Sequence, residues 1–107
     1  MYVLKAYYVK NQTLWLPKCM QYDTGICVKF EDSFPFPCQL DAGCEGDSPM
    51  GHCEEIEPGL FRIDDSFLAD GRNVVLYLYL TGENYGRTLQ KLIIPVKRRP
   101  KRGTLET

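Results

Sequence analysis

The stretch that decides the fold runs from residue 74 to residue 96: Val74-Val75-Leu76-Tyr77-Leu78-Tyr79-Leu80, then Thr81-Gly82-Glu83-Asn84-Tyr85-Gly86, then Arg87 through Leu92-Ile93-Ile94-Pro95-Val96. Side chains alternate across a strand, so Val74, Leu76, Leu78 and Leu80 share one face while Val75, Tyr77, Tyr79 and Thr81 share the other. The Gly82–Gly86 segment carries two glycines, which accept the unusual dihedrals of a hairpin loop. The return strand alternates again, with Leu92, Ile94 and Val96 opposite Leu89, Lys91 and Ile93. Burying one such Leu or Ile contributes about 1.5–3 kcal/mol, so this hairpin supplies a large share of the stability of a small domain. Pro95 lacks an amide hydrogen, which predicts a sheet edge or a bulge at that point.

The same alternation recurs in shorter pieces. Tyr2–Val9 reads as a first strand with both faces partly apolar. Thr13–Leu16 is a short strand stopped by Pro17, and Ile26, Val28 and Phe30 fall on one face of another. Phe34-Pro35-Phe36-Pro37 is too proline-rich for a central strand and leads into an edge strand at Cys38-Gln39-Leu40. Asp41–Gly51 reads as a loop, and His52–Glu57 as an edge strand before the Pro58-Gly59 turn. After Leu60–Ile63, the segment Asp64–Gly71 has the form of one helical turn. Asp64 or Asp65 caps its start and Gly71 closes it in a left-handed conformation. These pieces predict an all-β fold: a small Ig-like antiparallel β-sandwich of about seven or eight strands with one short helical turn. The expected organisation is a single β-sandwich domain over residues 1–97 and a basic, extended C-terminal tail over 98–107.

Composition agrees with a soluble domain. Of 107 residues, 44% are apolar and 25% charged, and the net charge is −1. No apolar run reaches the length of a membrane span. The N-terminus lacks the basic region of a signal peptide, and Lys5 and Lys10 interrupt its apolar stretch, which predicts folding in a cytoplasm. The five cysteines (Cys19, Cys27, Cys38, Cys44, Cys53) are an odd number, and with no secretion signal they are expected to be reduced. Charge is unevenly spread. Residues 41–70 hold nine acids and one base, and the remainder holds twelve bases and five acids. Such polarity can steer association, and it also fits a solvated acidic loop.

Sites for chemistry are sparse. Cys38, Cys44, His52 and Cys53 are weak candidates for a zinc site, since the set lacks a Cys-x2-Cys knuckle and the adjacent His52-Cys53 pair is awkward for ligation. Cys–His catalysis would have to use His52, the only histidine, without any nucleophile signature around it. Asp64-Asp65 and Glu54-Glu55 are sequence neighbours and not an opposed pair across a cleft. No catalytic residue, resident metal or cofactor is therefore expected. The run Lys97, Arg98, Arg99, Lys101 and Arg102 has no interleaved aromatics for base stacking, which argues against nucleic acid and for protein contacts. Trp15 and Tyr85 are candidate aromatic anchors, although core filling also suits Trp15.

Three segments together, Ile63–Gly71, Val75–Glu83 and Leu92–Pro100, resemble a pattern of phage structural proteins. They are similar to the N-terminal β-sandwich domain of baseplate and tail-fibre proteins from phages and prophages of Gram-positive hosts. In that family an Ile-Pro-Asp-x-x-Leu-x-x-Gly turn precedes a Tyr-rich strand, a hairpin and an Ile-Pro-Val exit. Leu16-Pro17-Lys18 and Tyr22-Asp23-Thr24-Gly25 fit the same setting. Here Asp64 stands in place of the motif's proline, and residues 38–57 have no counterpart. The resemblance implies a non-enzymatic virion protein, assembled in the host cytoplasm, that docks on other virion proteins in many copies as a tail or baseplate, head-fibre or capsid-decoration adaptor. The basic run, Trp15 and Tyr85 would then be assembly contacts. The alternatives are a phage-encoded regulator of a host protein or nucleic acid, and a small zinc-binding domain.

Overall fold

The computed structural model describes residues 2–9, 11–31, 38–47, 51–80 and 87–99. Along the chain these form β1 (Tyr2–Ala6), β2 (Thr13–Trp15), β3 (Cys19–Met20), β4 (Ile26–Phe30), β5 (Cys38–Cys44), β6 (Gly51–His52) and β7 (Glu54–Glu57). Then come β8 (Leu60–Arg62), α1 (Asp65–Ala69), β9 (Val74–Leu80), β10 (Arg87–Ile94) and β11 (Val96–Lys97). The all-β class holds. Sheet I has the order β1-β4-β8-β7 and sheet II the order β2-β10-β9-β5-β6. A short β3–β11 pair prolongs the contact between the second segment of the chain and its last.

The two sheets bury their facing sides in one core. Sheet I contributes Leu4, Ala6, Ile26, Val28, Phe30 and Phe61, with Phe30 and Phe61 edge-to-face at 6.0 Å. Sheet II contributes Leu40, Ala42, Val74, Leu76, Leu78, Leu92 and Ile94. Within sheet II the register places Ala42, Leu76, Leu92 and Leu14 in one row across four strands. The chain passes from sheet II to sheet I at Cys53, between β6 and β7, where the Cys53 amide donates to the Leu40 carbonyl at 2.8 Å.

Several expectations need correction. The sandwich is mixed, not purely antiparallel: β1–β4, β2–β10 and β3–β11 are parallel pairs. A parallel pair needs a crossover, and the excursion of β2 and β3 to the side of sheet II supplies it between β1 and β4. The strand count rises to eleven among the described residues because long segments are interrupted. Residues 13–21 run beside 91–97 as one continuous track, broken at Pro17 yet tied by Leu16 N–H to Ile93 O (2.8 Å), Cys19 N–H to Pro95 O (2.9 Å) and Gln21 N–H to Lys97 O (2.8 Å).

Asp41–Cys44 is strand, not loop. β5 lies inside sheet II between β9 and β6. Leu40 and Ala42 enter the core at alternate positions, and Gly43 and Cys44 are buried too, so this polar-looking stretch is a covered strand. Pro95 does not mark a sheet edge either. β10 is flanked by β2 and β9, its irregularity lies between Thr88 and Gln90, and Pro95 falls just after the β9 ladder ends at the Ile94–Val74 pair. The next amide, Val96 N–H, is satisfied by the Asn73 side-chain oxygen at 3.0 Å in place of a backbone partner.

The helical turn forms as expected. Asp64 caps it by accepting from Ser66 N–H at 2.9 Å, and Gly71 follows it at φ 81°. The left-handed backbone demands glycine there, and a Cβ at Gly71, 2.9 Å from Gln21 Nε2 and 3.2 Å from Arg98 Cγ, would in addition push those two side chains aside. Gly71→Ala is expected to cost more than about 1 kcal/mol, seen as a lower urea midpoint at unchanged slope. An unchanged midpoint would show that neither constraint matters.

Candidate docking surface

The outer face of sheet II follows from the same alternation that builds the core. With Val74, Leu76 and Leu78 inward, Val75, Tyr77 and Tyr79 point outward; with Leu92 and Ile94 inward, Lys91 and Ile93 point outward. On β2, Leu14 packs toward the core, which sets Thr13 and Trp15 on the outer side. The register then places Trp15, Ile93 and Val75 in one row and Thr13, Lys91, Tyr77 and Asp41 in the next. Trp15 is 60% exposed, which overturns its core-filling role. Tyr77 and Tyr79 are half-buried with their rings stacked at 6.4 Å and 29°. Ile93 and Val75, which share the row of Trp15, are buried.

A polar cluster borders this face. His52 Nδ1–H donates to Asp41 Oδ1 at 2.5 Å, and Gln39 Nε2 donates to the same oxygen at 3.0 Å. The face thus combines a Trp, two Tyr, one Lys and a fixed His–Asp pair on rigid strands. Trp and Tyr with a polar rim form the make-up of protein-binding hot spots, because large rings bury much area at small entropic cost. Chemically, such a surface can desolvate and pack; it presents no activated nucleophile.

A second exposed apolar group lines the β1 side. Tyr2 is 50%, Val3 40% and Tyr7 51% exposed. These residues read in the sequence only as a strand with two partly apolar faces; their position on an edge became visible with the sheet order.

The basic run is divided. Lys97 is exposed on β11. Arg98 Nε donates to the Gly71 carbonyl at 3.3 Å. The Arg99 amide donates to Gln21 Oε1 at 3.1 Å, and its guanidinium pairs with Asp23 at 3.4 Å. Arg98 and Arg99, the first two positions of the expected tail, are therefore tied to the domain through side chains of the 21–23 turn and the Gly71 carbonyl. Lys101, Arg102 and Tyr85 lie outside the described residues.

The zinc candidates are not brought together. Cys38 and Cys44 occupy opposite ends of the seven-residue β5, so their backbones are about 20 Å apart at the rise of a strand, far beyond a shared ion. All five cysteines are free thiols, and no group of three or more His, Cys, Asp and Glu suited to a metal occurs among the described residues. Burial, helped by Asp41 and Asp64, pushes the Cys53 thiol up to about 12. Burial and then Glu55 push Cys38 to about 11. Burial, with smaller effects from the surrounding charges, also raises Cys44, whose sulfur points at the Phe67 carbonyl at 3.9 Å. Thiols held protonated in this way are poor nucleophiles and poor ligands. His52 and Cys53 do border an open cleft of about 280 Å³, but its other walls include Glu54, Asp64 and Asp65, which disfavour a thiolate.

No helix of the described residues is long and apolar enough to cross a membrane. No protein-family model matches the chain, and no curated protein matches it significantly.

Proposed function

We propose that this protein is a non-enzymatic virion structural component that works by docking on other virion proteins in many copies, as a tail or baseplate, head-fibre or capsid-decoration adaptor. The observation that carries the docking part is the outer face of sheet II, where Trp15 stands 60% exposed on β2 beside Ile93, with the Tyr77–Tyr79 stack on β9 beyond the intervening β10. A solvent-facing tryptophan on a rigid, well-packed sheet does nothing for the core and is a costly group to leave in water. The virion part is supported by the similarity of residues 63–100 to phage structural domains. In the fold those residues form consecutive elements: the Asp64-capped turn, the β9–β10 hairpin and the Pro95 exit.

The test is mass spectrometry of purified phage particles from a host carrying the gene. The protein is expected at a fixed multi-copy ratio to the major structural proteins. Its absence from particles that are otherwise complete would end the virion reading, whatever the domain binds in isolation.

A further inference from the structure

Among the described residues no strand pairs with the outer side of β1 or of β7, so sheet I ends in two edges of opposite character. At one end are the outward backbone groups of Val3 and Lys5 on β1. The ladder to β4 begins with Tyr2 N–H to Gly25 O (2.9 Å) and ends with Glu31 N–H to Ala6 O (2.8 Å), so in a parallel pair the even-numbered residues of β1 bond inward and the odd-numbered ones outward. At the other end β7 is Glu54-Glu55-Ile56-Glu57, exposed at every position. Ile56 is 48% exposed and sits in the register shift between Glu55 and Glu57, where it has no partner on β8.

The exposed large hydrophobic residues among those described are Tyr2, Val3, Tyr7, Trp15 and Ile56. Setting aside Trp15 on sheet II, they fall on the two opposite edges of sheet I. On the β1 edge they flank Lys5, which has no ion pair among the described residues. On the β7 edge Ile56 is flanked by glutamates; Glu57 lies 3.9 Å from Lys29, a loose exposed pair, and Glu54 has no ion pair among the described residues. Edges are usually guarded against pairing by charge, brevity or bulges. The glutamates and the bulge of β7 repel another β7, and the lone Lys5 of β1 does not repel β7.

We propose that copies of this chain associate head to tail, the β7 edge of one adding to the β1 edge of the next, with Lys5 against Glu54 and Glu57 and Ile56 packed on Val3 and Tyr7. The two patches are different surfaces of one molecule, so the contact is heterologous and continues into a ring or filament; it does not stop at two. The inference is independent of where, or whether, the protein sits in a virion.

Sedimentation velocity over a range of concentration and salt tests it on the full chain. The unmodified protein is expected to form species larger than dimers at low salt, and the apparent Kd to rise at least about tenfold between roughly 0.05 and 0.5 M salt as screening shortens. Lys5→Glu alone, and Glu54→Lys with Glu57→Lys, should each leave monomers. Mixing those two variants should restore assembly, because each supplies the edge that the other lacks. A strictly monomeric unmodified protein, association that stops at a dimer, or assembly indifferent to both reversals would overturn the proposal. The salt series on the unmodified chain reads the same contact without any substitution, so a variant that fails to fold does not blunt the test.

Discussion

Replacing Leu76 by alanine is expected to remove about 2–5 kcal/mol of stability. Leu76 is fully buried in the middle of β9 and sits in the row Ala42–Leu76–Leu92–Leu14. One neighbour in that row is already an alanine, so the wall has little bulk with which to close a new gap. The void would open where the two sheets face each other, and a small domain is stable by only about 5–15 kcal/mol in total. Urea unfolding followed by circular dichroism should show a much lower midpoint with an unchanged slope. A loss below about 1 kcal/mol would mean that the core collapses around the site and that the hairpin is not its centre.

Trp15→Ala is expected to do the opposite: leave stability within about 0.5 kcal/mol and weaken binding to the docking partner by at least 2 kcal/mol, a factor of roughly thirty. The separation follows from its position. The indole is exposed on the edge strand of sheet II, so its removal opens no cavity between the sheets, yet it takes away the most exposed aromatic ring described on that face. The measurement is the amount of protein retained on particles assembled with the variant, set against its urea midpoint. Full retention at normal stability would remove Trp15 from the interface. Loss of retention together with a collapsed midpoint would return Trp15 to a structural role.

Local alternation made the hairpin, the Ile26–Phe30 strand and the capped turn legible in the sequence, since each depends on residues within one element. What alternation does not contain is which strands meet. The parallel track of residues 13–21 beside 91–97 depends on contacts more than seventy residues apart, and nothing near Thr13 or Cys19 signals it. Asp41–Cys44 was hidden because its outward positions are Asp41 and Gly43 and one inward position is the small Ala42, a composition that matches loops as well as a covered strand. Trp15 was ambiguous for a related reason: in a three-residue strand, one aromatic can face either way. The tyrosines opposite the leucines of β9 were visible as a face from the start. The register adds what alternation does not contain: Lys91 directly beside Tyr77, and Trp15 two strands away on the same face.

The track between residues 13–21 and 91–97 also sets a timetable. A ribosome releases the chain from its N-terminus, so β2 and β3 emerge long before the only strands they pair with in the described structure. β1, β4, β8 and β7 can assemble as soon as Arg62 is free, because each of their pairings lies within the first 62 residues. Until the β10–β11 segment arrives, Leu14, Leu16 and Cys19 have no sheet to lie on. Contacts of such long range close slowly. The nascent domain therefore spends its synthesis half-built, with one sheet able to form and the other waiting for β10 to insert between β2 and β9.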